Sequence, residues 1–321
     1  MYKFEKNAAI VVFLLLFISF FIGVEALRFG GRTLAMGELF SPSNRLLVLH
    51  LRLPRVIADF MVGAGLSVVG LSFQTIVRNP LAEPYLFGVS GAAALGYVLG
   101  SLFLGAMPSY ILSFVFSLLT VLFVVFFGLK TTRSASGMVL TGVAVGFFYS
   151  SIISIMSVFL SARFVKNIFL WYLGDTTSLT LENAVVSFLL VCMLSLFVFI
   201  DLERFEIYRV GEEFAATSGM NVTSFIYRQY IIGSLITSII VSNCGAIGFV
   251  GLIMPHLVKL IFGESNRMNM LLTFFLGGNF MVLVDTLVKT LIYPMEIPVG
   301  VVTALIGSPF LVLLMRRFTW R

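Results

Sequence analysis

The chain has 321 residues, of which 59% are apolar, 14% aromatic and 11% charged, and its mean hydropathy is +1.06. Soluble domains run near 45–50% apolar and about 25% charged, so a water-soluble globule is excluded; long unbroken apolar runs such as 110–129 exclude an outer-membrane barrel, whose strands alternate. An all-α polytopic membrane protein remains, and its net charge of +6, gathered in the connections, is read as membrane topology and not as nucleic-acid binding.

A bilayer span needs about 20 apolar residues. Segments of that kind fall roughly at 8–27, 54–77, 86–106, 108–129, 137–161, 180–200, 224–246, 247–263, 269–292 and 298–315, about ten transmembrane helices in all. The first follows Lys3 and Lys6 with no small-residue cleavage site behind it, and is read as an uncleaved span. Pro54, Pro255 and Pro309 open or interrupt the second, eighth and last, where a broken or re-entrant helix would give the same pattern. With the N-terminus inside, about 12 of the 21 basic residues face the cytoplasm and about eight lie outside, the sign that topology requires. Five of the outer ones, Arg28, Arg32, Arg45, Arg52 and Arg55, cluster before the second span and call for a partner.

Ionisable residues inside spans are Asp59, Glu182, His256, Lys259 and Asp285. At a span centre each costs about 2.5–3.5 kcal/mol, so each is a functional candidate. Glu182 and Lys259 lie near span ends and reach the interface. Asp59 stands four residues after Arg55, and Asp285 four before Lys289, so a local ion pair is expected at each. His256, after Pro255, is expected to be a hydrogen-bonded packing element, and Cys192 and Cys244 to act as small hydrophobes. Gly96 with Gly100, and Gly142 with Gly146, have the spacing that lets helices pack closely in lipid.

Asp201–Asn221 is the one sizeable hydrophilic stretch, and Gly211 to Gly219 reads as a short amphipathic helix between glycines. It is either a solvated connection or a docking surface for a cytoplasmic protein. The chain carries no P-loop motif and no HExxH, GxSxG or Cys/His cluster, so it is expected not to be an enzyme on its own.

Six motifs, in order along nearly the whole chain, resemble the permeases of iron-siderophore and vitamin B12 ATP-binding-cassette importers, the FecCD or BtuC-like family. They are Leu-Arg-Leu-Pro-Arg at 51–55, Gln74 with Arg-Asn-Pro-Leu-Ala-Glu-Pro at 78–84, Gly-Val-Ser-Gly-Ala at 88–92, the stretch from Gly211 to Gly219, Gly-Phe-Val-Gly-Leu-Ile-Met-Pro-His at 248–256, and Glu-Ile-Pro-Val-Gly with Ile-Gly-Ser-Pro-Phe at 296–310.

The resemblance implies a single transmembrane permease domain over 1–321 with a BtuC-like fold. The domain works as a homodimer or beside a related permease subunit, in the cytoplasmic (inner) membrane of a prokaryote with both termini inside. It implies a cytoplasmic ATPase dimer that binds ATP and Mg, an external substrate-binding protein, no cofactor in this chain, and an iron chelate (ferric siderophore or haem) as cargo, with cobalamin as the alternative. By the same comparison, Arg52, Arg55 and Lys289 receive acidic residues of the binding protein, Lys289 standing where an arginine is usual and lacking its two-pronged donor. Asn79, Leu81 and Ser136 match gate positions. A coupling segment at 201–223 would meet the ATPase through Gly211, Glu212, Glu213, Ala215, Gly219 and Met220. Ser218 replaces a leucine there, and Asp59 replaces a small apolar residue. A reading from another class is a proton-coupled secondary transporter relaying through Asp59, His256 and Asp285, although no convincing repeat relates the two halves.

Overall fold

The computed structural model describes residues 8–104, 106–131, 135–263, 268–291 and 297–318. Among them every regular element is helical. The membrane helices are α1 (Ala8–Arg28), α2 (Leu53–Val77), α3 (Val89–Phe103), α4 (Ala106–Thr131), α5 (Ala135–Phe159), α7 (Leu181–Ile200), α10 (Val222–Cys244), α11 (Val250–Phe262), α12 (Asn269–Leu291) and α13 (Val299–Phe318). Shorter helices lie between them, among them α6 (Ala162–Tyr172), α8 (Leu202–Val210) and α9 (Glu212–Thr217), with brief helical turns at Met36–Phe40, Arg45–Leu47, Val48–Arg52 and Pro84–Phe87. Among the described residues, seven helices are long and apolar enough to cross a bilayer, and α3, α11 and Val299–Leu313 of α13 are shorter apolar stretches, in agreement with the ten expected segments.

At 1.5 Å per residue, the 15 residues of α3 span about three quarters and the 13 of α11 about two thirds of a ~30 Å hydrocarbon layer. The missing length is chain outside the α-helices: 79–88 before α3, which holds one short 3-10 turn at Pro84–Phe87, and 245–249 before α11. Backbone of this kind survives at membrane depth only where protein satisfies it. Here the two stretches and their neighbours do so: the Ile247 N–H donates to the Tyr85 hydroxyl (3.2 Å), the Phe249 N–H to the Glu83 carboxylate, and the Asp175 N–H to the Cys244 carbonyl (2.8 Å). Pro255 and Pro309 do not break their helices, contrary to what their side chains allow one to expect; both lie inside continuous α11 and α13. Pro255 leaves the Gly251 carbonyl without its helical donor, and the Gln74 side chain from α2 donates to that carbonyl (3.2 Å).

α2 is the central post. It packs against α7, α10, α11 and α12 and is buried along most of its length. Its small residues set the distances: a Cβ on Gly63 would lie 2.1 Å from the Gly277 carbonyl of α12, and one on Gly70 1.9 Å from the Gly251 carbonyl of α11. Gly96 and Gly100 serve the same close approach between α3 and α4, at Leu112 and Ser109. By contrast α5 from Leu140 to Phe159 is little buried, with Phe147, Phe148, Ile155 and the serines 150, 151 and 154 exposed.

Candidate functional site

The functional candidates gather at the two ends of the bundle. At the end that carries residues 29–52, the basic cluster finds its partners within the chain. Arg52, 9% exposed, donates to the carbonyls of Leu27 (2.7 Å), Arg28 (2.9 Å) and Arg32 (2.6 Å), and so clamps the chain leaving α1. Arg28 pairs with Glu25 at 2.8 Å. Arg32 and Arg45 remain exposed, as do Arg163 and Lys166 on α6.

The expected local pair between Arg55 and Asp59 does not form. Arg55 reaches across to α12 and holds Asp285 with two bonds, Nε to Oδ2 and Nη2 to Oδ1, both 2.9 Å. The reason lies in helix geometry. Side chains lean toward the helix N-terminus, so a base placed four residues before an acid points away from it, while an acid before a base is the favourable order. Asp285 and Lys289 have that order and stay within 3.7 Å of each other; the Lys289 ammonium also donates to the Ala26 carbonyl (3.3 Å). Asp59 is 1% exposed, and neither carboxylate oxygen has a hydrogen-bond partner among the described residues. The Thr176 hydroxyl lies alongside it.

Beside these charges is a cavity of about 400 Å³. Arg55 and Asp285 form part of its wall, with Tyr97, Tyr110, Trp171 and Thr176. Tyr97 and Trp171 stack face to face, their centroids 4.2 Å apart.

At the opposite end, α8 and α9 form the hydrophilic segment, and α9 occupies the position expected of the short helix between glycines. Gly211 precedes α9; Glu212 and Glu213 sit in its first turn, where the helix dipole favours acids. Gly219, at φ +83°, closes it in the left-handed conformation, its N–H bonding to Ala216 (3.1 Å) while the Met220 N–H bonds to Ala215 (3.1 Å). This paired bonding is the glycine-terminated helix stop. Ala215 is fully buried, and Met220 packs against the core. Phe214 and Val210 are exposed at 51% and 69%.

Two contacts fix this segment to the membrane helices. Asp201, 1% exposed, accepts bonds from Arg204 (2.8 Å), Arg228 and Gln229 (2.6 Å). Tyr208 donates its hydroxyl to the Ile76 carbonyl (3.2 Å) at the foot of α2, and Arg78 covers the Tyr208 ring (4.9 Å) and donates to its carbonyl (3.3 Å). Burial holds the Tyr208 phenol above its usual range, Glu212 pushing the same way and Arg78 opposing, so it stays a donor. Arg78 also begins the turn that contains the expected gate residues. There the Asn79 side chain accepts the Leu81 N–H (2.9 Å), a local turn that leaves Asn79 exposed and Leu81 half-buried. Ser136 lies in the first turn of α5, its side chain outside the described ones. His256 packs its ring edge-on to Phe310 of α13 (5.9 Å).

Sequence reasoning passed over Asp201 and Tyr208. The only signals were an aspartate at the end of an apolar run with Arg204 three residues on, and a tyrosine in a short helix of mixed polar and apolar residues.

Residues 10–317 match the FecCD transport family. An uncharacterized ABC transporter permease protein of Bacillus subtilis, YvrB, is 35% identical over 283 residues, 84% of this chain and 79% of the relative. The vitamin B12 import system permease protein BtuC of Vibrio vulnificus is 30% identical over 88% of this chain and 89% of its own. A solved inward-facing conformation, described as that of a metal-chelate type ABC transporter, superposes with a TM-score of 0.86 at 26% identity, covering 96% of this chain and 99% of the other. The chain belongs to the FecCD transport family, whose members are the membrane permeases of ABC importers.

Proposed function

We propose that this FecCD-family permease carries an iron chelate into the cell, driven by ATP hydrolysis in a separate cytoplasmic subunit. The observation that carries the proposal is the mechanical link at the α8–α9 end. α9 presents Phe214, Glu212 and Glu213 outward on a helix closed at its C-terminal end by Gly219, and on the preceding α8 Tyr208, with Arg78, joins the segment to the foot of α2 and to the turn holding Asn79 and Leu81. In this reading a push on α9 reaches the proposed gate through α8, by the Tyr208–Ile76 hydrogen bond and the Arg78–Tyr208 contact.

In this reading the α8–α9 end and both termini are cytoplasmic, and Gly211, Glu212, Glu213, Ala215, Gly219 and Met220 form or support the seat of the ATPase. The 29–52 end faces outward and receives a loaded binding protein. Because Arg52, Arg55 and Lys289 are engaged internally, we assign first contact with an acidic binding protein to the exposed Arg32, Arg45, Arg163 and Lys166, with the three inner bases shaping the surface beneath. Two copies of this chain, or one with a related subunit, would enclose the path along the outward-facing α5. The metal-chelate transporter supports a metal chelate as cargo, the class to which an iron chelate belongs, and the BtuC relative supports cobalamin as the second reading.

The test is ATP hydrolysis in proteoliposomes holding this chain with a co-expressed ATPase subunit, with binding proteins loaded with ferric siderophore, haem or cobalamin. Stimulation by a siderophore- or haem-loaded protein is expected, and stimulation by cobalamin alone moves the assignment to the second reading. Uptake that follows an imposed proton gradient without any ATPase overturns both.

A further inference from the structure

Among the described residues other than glycine, only Arg78 and Phe249 have positive φ, +53° and +69°. Arg78 closes α2 and opens the turn with the proposed gate residues Asn79 and Leu81. Glu83, at the end of that turn, accepts the Phe249 N–H at the head of α11. For Arg78 the left-handed conformation is an ordinary way to stop a helix. For Phe249 it is not. Residue 249 is the N-cap of α11, its carbonyl accepting the Ile253 N–H (2.8 Å), and an N-cap is normally extended with negative φ. A bulky residue in the left-handed region is strained and persists only where its surroundings impose the conformation.

Two contacts impose it. Phe249 sits on Gly307 of α13, where a Cβ would lie 2.4 Å from its own. Glu83 binds the N–H from outside the helix, the part that an acid three residues further on plays in a capping box; in α11 that position is Leu252. We propose that Glu83 is a positioning residue for transport: its carboxylate holds Phe249 in the strained conformation, and its withdrawal when the turn at 78–84 moves lets residue 249 relax and swing the link 245–249. That link reaches the cavity at the other end of the bundle. Tyr85 holds its middle through the Ile247 N–H (3.2 Å), and above this it is wedged among residues of the cavity wall. The Asp175 N–H donates to the Cys244 carbonyl (2.8 Å), and a Cβ on Gly245 would lie 2.0 Å from the Trp171 carbonyl. A Cβ on Gly174 or on Gly300 would lie 2.9 Å from the Ala246 carbonyl. With so little clearance, a change in the sign of φ at residue 249 is not absorbed within the link and passes to Trp171 and Asp175. One side chain suffices to oppose the strain, because a hydrogen bond to a carboxylate is roughly twice as strong as one between neutral groups. The inference rests on the importer reading and deepens it, joining the gate turn to the outward cavity through Glu83.

The test combines hydrogen–deuterium exchange of the full chain in nanodiscs with uptake by the assembled transporter. In Glu83→Ala, exchange of the 247–250 amides should rise about tenfold, the loss of one bond to a charged group, while 253–262 exchange as in the parent. Uptake per ATP hydrolysed should fall about tenfold, a typical coupling between sites, at the parental rate of hydrolysis. Glu83→Gln keeps an acceptor at the same reach and should restore most of the uptake. In a Phe249→Gly background the left-handed conformation carries no strain, so adding Glu83→Ala should free only amide 249 and leave uptake as in Phe249→Gly alone. Loss of hydrolysis in step with uptake would mark simple destabilisation, and an equal loss of uptake in both backgrounds would mark an ordinary helix cap. Either result, or parental uptake in Glu83→Ala, overturns the proposal. If Phe249→Gly does not fold, Phe249→Asn, which also tolerates the left-handed region, takes its place. A parent without ATP-driven uptake defeats the importer reading, while exchange in the two backgrounds still decides whether Glu83 holds Phe249.

Discussion

Gln74→Met tests how a proline is carried in the middle of a buried helix. Pro255 removes the donor that would reach the Gly251 carbonyl, and Gln74 Nε2 replaces it at 3.2 Å. Methionine keeps the length and fills the space but donates nothing. An unmade hydrogen bond at a buried carbonyl costs about 1–3 kcal/mol. Side-chain bonds between membrane helices measure near 0.6 and at most about 1.7 kcal/mol, so a loss of about 1–1.5 kcal/mol is expected. That is roughly a tenfold change in the folding equilibrium. The discriminating step is to repeat the substitution on Pro255→Ala, where residue 255 regains its N–H and serves Gly251 itself. There Gln74→Met should cost only a few tenths of a kcal/mol, leaving about 1 kcal/mol of coupling in the cycle. Reversible unfolding in mixed micelles gives all four stabilities. Equal losses in both backgrounds would refute the compensation and reduce Gln74 to ordinary packing.

Asp201→Asn should weaken the anchor of α8. Arg204 and Arg228 are about half exposed and keep their water, so the loss is held to about 1–3 kcal/mol, read as the same unfolding midpoint, and faster proteolysis near 201–221 should accompany it. Gly219→Ala meets nothing within 4 Å but places a Cβ at φ +83°; the cost is strain of about 1–2 kcal/mol confined to the end of α9. It should lower ATPase stimulation more than global stability, and an unchanged stimulation would count against α9 as the seat of the partner. Gly70→Ala puts its methyl 1.9 Å from the Gly251 carbonyl, which is backbone and cannot rotate away. A loss of about 1–3 kcal/mol or failure to accumulate in the membrane is expected, against a near-neutral result at Gly37→Ala, where a Cβ meets nothing within 4 Å.

Hydropathy and length alone determined the class, the number of membrane helices and the position of the hydrophilic segment 201–221, because in lipid each helix satisfies its own backbone and an apolar run of about 20 residues has few other fates. Glycines flanking 212–218 sufficed to place α9, since a left-handed residue ends a helix wherever it stands. Pairing was another matter. Arg55 and Asp59 have the right spacing on one helix, yet Arg55 chose Asp285, 230 residues away, and only the packing of α2 on α12 brings those two together. Likewise Pro255 reads as a helix breaker until Gln74 of another helix is set beside Gly251. The basic cluster before the second span suggested an external partner, and the fold showed that Arg52 spends its donors on the chain's own carbonyls. Local sequence fixes what a residue can bond to; only the tertiary structure decides which of the competing partners is within 3 Å and out of water.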